Sequence, residues 1–389
     1  MIPRKIESEI IKTLVSKKIV ILYGARQTGK TTLSNKLINE LDFNENEITR
    51  INSDDRSFDK FFEVVSLGSL EKIINNTKLV FIDEAQKLPN IGENMKLLYD
   101  SPNRPMILLT GSSSFELAAK TKESLAGRAL TYKLNALSLE EISHSFGEKK
   151  VIDGLEDNIL YGQYPEIYSQ KDPRQKQKLL EQLVDSTLLK DLLNLETITK
   201  PQKLLEILKI LAYQMGSNVS ILDISSRLEI SRETVLNYIS YLEQSFIIFR
   251  LKGISANMRS QTIKETRQMK IYFYDLGIRN MLIQNFDDLA YRQDSGALFE
   301  NFIILERLKT NANNPMYNQY FYRDKEQKEI DLVETLGSKV FLIEVKHSSK
   351  KKYKFPKSVY SMLANDKMIR REVSEEIITK ENYLDYLLK

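Results

Sequence analysis

The sequence predicts an α/β protein: a parallel-sheet core at the N-terminus, a helical middle and a second α/β segment at the C-terminus. Three observations carry this. Short runs of branched apolar residues alternate with helical periodicity through the first third of the chain, as buried strands and covering helices do. After Ser138 the pattern becomes helical and glycine turns scarce. Strand-like runs return at residue 271 and close as an apolar hairpin over residues 329–346.

Taking the elements in order, Ile19-Val20-Ile21-Leu22-Tyr23 reads as a buried strand. It runs into Gly24-Ala25-Arg26-Gln27-Thr28-Gly29-Lys30-Thr31, which matches G-x-x-x-x-G-K-[ST]. Residues 32–41 then show helical spacing, with Leu33, Leu37, Ile38 and Leu41 on one side. Strand, glycine loop and helix in that order make a phosphate cradle. Glycines let successive N–H groups turn inward, and the helix adds its positive N-terminus. Lys30 is placed to bridge β- and γ-phosphates, Thr31 to hold Mg²⁺, and Thr32 to add a phosphate contact. Arg26 lies inside the loop and faces either phosphate or solvent, whereas Arg56 reads as structural. The expected cofactors are therefore ATP and Mg²⁺.

A second strand, Leu79-Val80-Phe81-Ile82, ends in Asp83-Glu84. Paired acids at this place suit hydrolysis, with Asp83 supporting the metal and Glu84 acting as general base toward water. A third strand, from Pro105 to Leu109, ends in Thr110-Gly111-Ser112.

Composition excludes much else. The chain has 389 residues and 42% hydrophobic content, enough for large cores and about three domains. A net charge of +4 confines any nucleic-acid surface to a local patch. The absence of cysteine removes disulfide, zinc-thiolate and thiol chemistry. With only His144 and His347, a Ser-His-Asp triad or a multi-histidine metal site is nearly excluded, and both read as surface residues. No apolar run reaches membrane length and no signal peptide opens the chain, so a soluble cytoplasmic protein with no membrane partner is expected.

The segments GARQTGKTT, LVFIDEAQKLP, LLTGSSS, LAGR and LNALSLEEI together resemble a family of prokaryotic AAA-type P-loop ATPases over roughly the first 150 residues. The resemblance implies a central parallel sheet. It makes Ser112, or else Thr110, the polar residue that senses γ-phosphate. It also makes Arg128 a candidate for the transition-state charge, in cis or from a neighbouring subunit, against the alternative of a surface arginine. If Arg128 acts in trans, a homo-oligomer is required.

In the middle, residues 162–166 break the helical pattern as a structured turn, and residues 179–195 read as one long amphipathic helix. Helices over 204–215, 220–228 and 232–244, followed by a strand at 246–251, give a winged-helix pattern. On it Arg232, Thr234, Asn237 and Tyr238 fall on or beside the recognition face. Arg250, Lys252, Arg259, Lys264, Arg267 and Lys270 form a loose basic stretch that suits phosphates, or is simply solvated.

At the C-terminus, residues 296–308 are helical and carry Glu300. The strand at 329–333 carries Asp331. Its hairpin partner at 340–346 places Glu344 and Lys346 on one face and Val345 on the other. Asp331, Glu344-x-Lys346 and Glu300 form the constellation of a PD-(D/E)xK nuclease. Glu300, Asp331 and Glu344 would be its metal ligands and Lys346 would position water or stabilise charge. The competing reading is a structural ion cluster. GALFENFIILERL, FYRDKEQKEIDLV and FLIEVKHSS resemble the uncharacterised domain, similar to restriction-endonuclease folds, that accompanies these ATPases.

The expected organisation is thus a P-loop ATPase core over 1–135, a helical lid or linker over 136–203, a winged helix over 204–268 and a nuclease-like α/β domain over 269–389. The expected function is a Mg-dependent ATPase coupled to DNA, with a C-terminal domain that is a candidate metal-dependent DNA nuclease. The alternative is a nucleotide switch whose C-terminal half binds DNA or protein without cleavage.

Overall fold

Strands covered on both faces must be apolar, and the runs at 19–23, 79–82 and 106–109 are. The computed structural model describes residues 2–74, 77–112, 124–185, 198, 200–256, 263–347, 353–364 and 372–388. It gathers the chain into two units, Met1–Ala136 with Gln244–Phe246, and Leu137–Glu243 with Ile247–Lys389.

In the first unit, strands β1 (Ile19–Tyr23), β2 (Ile48–Asn52), β3 (Leu79–Asp83), β4 (Met106–Gly111) and β5 (Ala129–Lys133) form one sheet in the order β2-β3-β4-β1-β5. Every pairing in it is parallel. Alternation divides the side chains between two cores. Ile19, Ile21, Val80, Ile82, Ile107 and Leu109 pack with Phe62, Leu70, Ile91 and Met95 on one face. Val20, Leu22, Phe81 and Leu108 pack with Ile10, Leu14, Leu33 and Leu37 on the other. The helix Lys30–Glu40 begins at the loop itself, directly after Gly29.

The second unit opens with short helices over residues 139–183 and continues with helices Pro201–Tyr213, Ile221–Leu228 and Arg232–Gln244. Ser220 caps the second of these three, accepting from Asp223 N. The expected long helix at 179–195 is described only to residue 185; there Pro173–Leu183 is helical, and the remainder lies outside the described residues.

Strands β6 (Ile248–Ala256), β7 (Ile263–Phe273), β8 (Tyr317–Arg323), β9 (Glu329–Leu336), β10 (Lys339–Val345) and β11 (Glu372–Ile378) make a mixed sheet in the order β11-β10-β9-β8-β6-β7. Residue 268 therefore lies inside a strand of this sheet. The β9–β10 hairpin turns at Gly337, whose φ of +59° lies in the left-handed region.

Helix Ser295–Thr310 is buried on nearly all sides, charged residues included. Glu306 Oε2 accepts from Leu139 N at 2.6 Å, and Lys309 Nζ donates to Leu137 O, Gln163 Oε1 and Glu306 Oε1. Asp275 accepts from Gln163 N and Ile278 N, which pins the expected turn at 162–166. Burial pushes the Asp275 carboxyl up to about 6, against the pull of those amides and Lys309. Among the described residues no helix is long and apolar enough to cross a membrane.

Candidate functional site

The loop leaves the C-terminal end of β1, the end at which open parallel sheets bind ligands. Its shape depends on missing side chains. A Cβ on Gly24 would lie 2.1 Å from Leu134 O, so only glycine fits there. Gly29 sits at φ +94° before the helix, and Gln27 also takes a left-handed φ of +58°. Thr28 Oγ1 closes the loop on Ala25 O at 2.8 Å.

Lys30 is 6% exposed, and its Nζ donates to the carbonyls of Gly24 and Ala25 at 3.0 and 2.9 Å. Burial pulls its ammonium down to about 8, although Glu84 and Asp83 draw the other way. A buried cation whose hydrogen-bond partners are neutral carbonyls, at a helix N-terminus, suits a polyphosphate.

Beside it, Thr31 Oγ1 donates to Asp83 Oδ2 at 3.0 Å. Thr110 Oγ1 donates to Asp83 Oδ1 and accepts from Glu84 N. Ser112 Oγ and Gln86 Nε2 donate to Glu84 Oε2 at 2.9 and 2.6 Å. Glu84 stands at φ +53°, a left-handed position that a residue with a Cβ takes at a cost. A hydroxyl and a carboxylate side by side are hard oxygen donors of the kind Mg²⁺ takes, so Thr31 and Asp83 fit that ion.

The structure thus brings together Gly24, Ala25, Thr28, Gly29, Lys30, Thr31, Asp83, Glu84 and Ser112. Arg26 is half-buried and acts electrostatically on both Lys30 and Asp54. Gln27 and Thr32 are exposed, on the loop and on the first helical turn. Arg128 is not brought to the loop. Its carbonyl accepts from Ile19 N, at the opposite end of β1, about 16 Å away along a five-residue strand. Its guanidinium grips Asp100 at 3.0 and 2.8 Å. The cis role is therefore set aside for geometric reasons.

Two contributors escaped the sequence reading. Buried Arg4 donates to Thr28 O at 2.9 Å and Asn135 O at 2.6 Å, bracing the loop from a segment with no motif. Gln86 lies two residues past Glu84, and nothing in its surroundings signalled that it turns back on that carboxylate.

The C-terminal residues also meet. Val345 N donates to Asp331 Oδ2 at 3.0 Å, and Lys346 pairs with Glu344. Glu300, on its helix, accepts from Tyr272 and from Lys270. Burial and the Asp331 charge push Glu344 up to about 7. Glu300 also rises to about 7, chiefly by burial, which Lys270 opposes and the Asp331 charge reinforces. Lys270 corrects the sequence reading: it is 3% exposed and paired, and contributes nothing to a basic surface. Tyr238 is likewise buried, its hydroxyl accepting from Lys200 N at 3.1 Å, so it is absent from the exposed face of helix Arg232–Gln244, on which Arg232 and Asn237 lie. Arg259 lies outside the described residues.

Comparison with known families places the class. Residues 16–143 match the family described as AAA domain, and this stretch is an AAA-type P-loop ATPase domain. Residues 152–289 and 295–386 match two domains of unknown function, DUF8612 and DUF4143. Among particular proteins, the chain is 28% identical over 360 residues to uncharacterized protein MJ1544 of Methanocaldococcus jannaschii, covering 87% of this chain and 77% of that one. It is 26% identical over 353 residues to uncharacterized protein Rv2008c of Mycobacterium tuberculosis, covering 89% and 74%. Among solved structures, AMPPCP-bound DnaA from Aquifex aeolicus matches 61% of this chain and 86% of its own at 14% identity, with a TM-score of only 0.30.

Proposed function

We propose that the N-terminal unit hydrolyses ATP with Mg²⁺. The observation that carries this reading is Glu84, fixed by Ser112 and Gln86 beside the Thr31–Asp83 pair at the mouth of the loop. Lys30 and the loop amides bind the phosphates, while Thr31 and Asp83 hold the metal. Bound Mg²⁺ would neutralise charge on the phosphates. Glu84 accepts the proton of the attacking water, and Ser112, hydrogen-bonded to it, links the base to the γ-phosphate position. Replacing Glu84→Gln is expected to leave ATP binding intact and to lower turnover by about 10²- to 10⁴-fold, the usual contribution of a general base. Unchanged hydrolysis in that variant would overturn the assignment.

The second half of the proposal is that hydrolysis governs DNA binding by the other unit. Support comes from the order of three helices followed by the β6–β7 pair, which is that of a winged helix, with Arg232 and Asn237 exposed on the third helix. DNA affinity that falls steeply with salt, and weakens in Arg232→Ala, is the expected result. No binding at low salt would reject it. For the C-terminal carboxylates the non-cleaving reading is preferred, because a buried lysine is already paired with Glu300 and with the neighbouring Glu329.

A further inference from the structure

Glu300, Glu329, Asp331 and Glu344 belong to three neighbouring elements: helix Ser295–Thr310, β9 and β10. Such oxygen-rich sets suit a divalent cation, which needs several oxygens at about 2.0–2.6 Å around one point. Glu344 adds an unspent acceptor: its Oε2 is buried with no hydrogen-bond partner, in a residue 3% exposed.

The rest of the arrangement does not fit an ion. Lys270 Nζ, on β7, lies 3.1 Å from Glu300 Oε1 and 2.6 Å from Glu329 Oε1, and sits over the Phe321 ring at 5.6 Å. Tyr272, two residues along the same strand face, donates to the same Glu300 oxygen. Asp331 spends Oδ2 on Val345 N, and Glu344 spends Oε1 on Lys346. Among the described residues no three acidic or histidine side chains converge to hold one ion. The ammonium has little room to withdraw, since the Lys270 side chain is buried and lies over the Phe321 ring.

We infer that Lys270 is the resident cation of this centre, its ammonium standing where a divalent ion would otherwise bind and keeping the carboxylates closed to metal. A second cation could enter only against the repulsion of a buried charge already bonded to two of the ligands. This inference is independent of ATP hydrolysis.

The test is a Mn²⁺ titration, read by the electron paramagnetic resonance of free ion, on the full chain carrying Lys30→Ala and without nucleotide. No stoichiometric site is expected up to about 1 mM, the weak end of protein sites for divalent ions. Adding Lys270→Met should create one site at least ten-fold tighter, lost again with Asp331→Asn. Adding Lys270→Arg, which keeps the charge, should create none. Binding of one Mn²⁺ by the Lys30→Ala protein, abolished by Asp331→Asn, would overturn the inference. So would a folded Lys270→Met protein that gains no site. Should Lys270→Met fail to fold, the first titration and its Asp331→Asn partner still decide the outcome.

Discussion

Lys30, at a helix N-terminus, and Lys270, on a strand, both bury their ammonium groups, 6% and 3% exposed, yet their surroundings differ in kind. Lys30 donates to two carbonyl oxygens, and its acidic neighbours Asp83 and Glu84 are bonded to hydroxyls and an amide instead of to it. Lys270 is bonded directly to two carboxylates. Burial therefore prevails at Lys30 and brings it down to about 8. At Lys270 burial pulls the same way, but Glu300, Glu329 and Asp331 more than offset it and hold the ammonium above its ordinary range. The difference teaches what each centre lacks. One has a cation short of an anion, and the other has a cation already matched.

The comparison can be broken most sharply by removing each lysine in turn. Lys30→Ala should weaken ATP binding roughly 100-fold, the upper end for charge-assisted hydrogen bonds. Lys270→Met should leave ATP affinity unchanged while lowering the melting temperature, because it strands buried carboxylates. Equal losses of nucleotide affinity in the two variants would erase the distinction; a fluorescent ATP analogue and a thermal melt measure both.

A smaller effect is expected at Thr110, whose hydroxyl joins Asp83 to the Glu84 amide. Thr110→Val should lower kcat about 10-fold, the value of one hydrogen bond to a charged group, with little change in nucleotide affinity. An unaltered kcat would show that Asp83 and Glu84 hold their places without it.

The smallest effect is a proton. An unfolded lysine near 10.5 binds protons that the folded Lys30 releases from about 8, so across that window stability rises with pH. Phosphate oxygens beside the ammonium raise its pKa again. At pH 8.5 nucleotide binding should thus take up a fraction of a proton, and the uptake should vanish in Lys30→Ala. Calorimetry in buffers of different ionisation enthalpy reads this directly; no uptake would mean that carbonyl contacts alone keep Lys30 charged.

Much of the nucleotide site was legible because it is local. Phosphate loop, Asp83 and Glu84, and the Thr110–Ser112 tip each lie at the end of an apolar strand. In a parallel sheet such strand ends assemble at one edge without further information. Glu300, Asp331, Glu344 and Lys346 were legible for a similar reason, since a hairpin and one helix bring them close. Arg128 was not: its short segment carries the charge but no indication of which end of the sheet it occupies. Lys270 was misread because six cations in one stretch look solvated until a strand turns one of them inward.

Periodicity and spacing therefore determined the fold class, the phosphate loop and its acids, because those depend on neighbours within a few residues or on the regular edge of a sheet. Tertiary structure alone decided the partners of each charge: Arg4 under Thr28, Arg128 on Asp100, Lys309 on Leu137, and Lys270 between Glu300 and Glu329. A buried charge must find its counterpart wherever the fold offers one, and that distance along the chain leaves no local pattern to read.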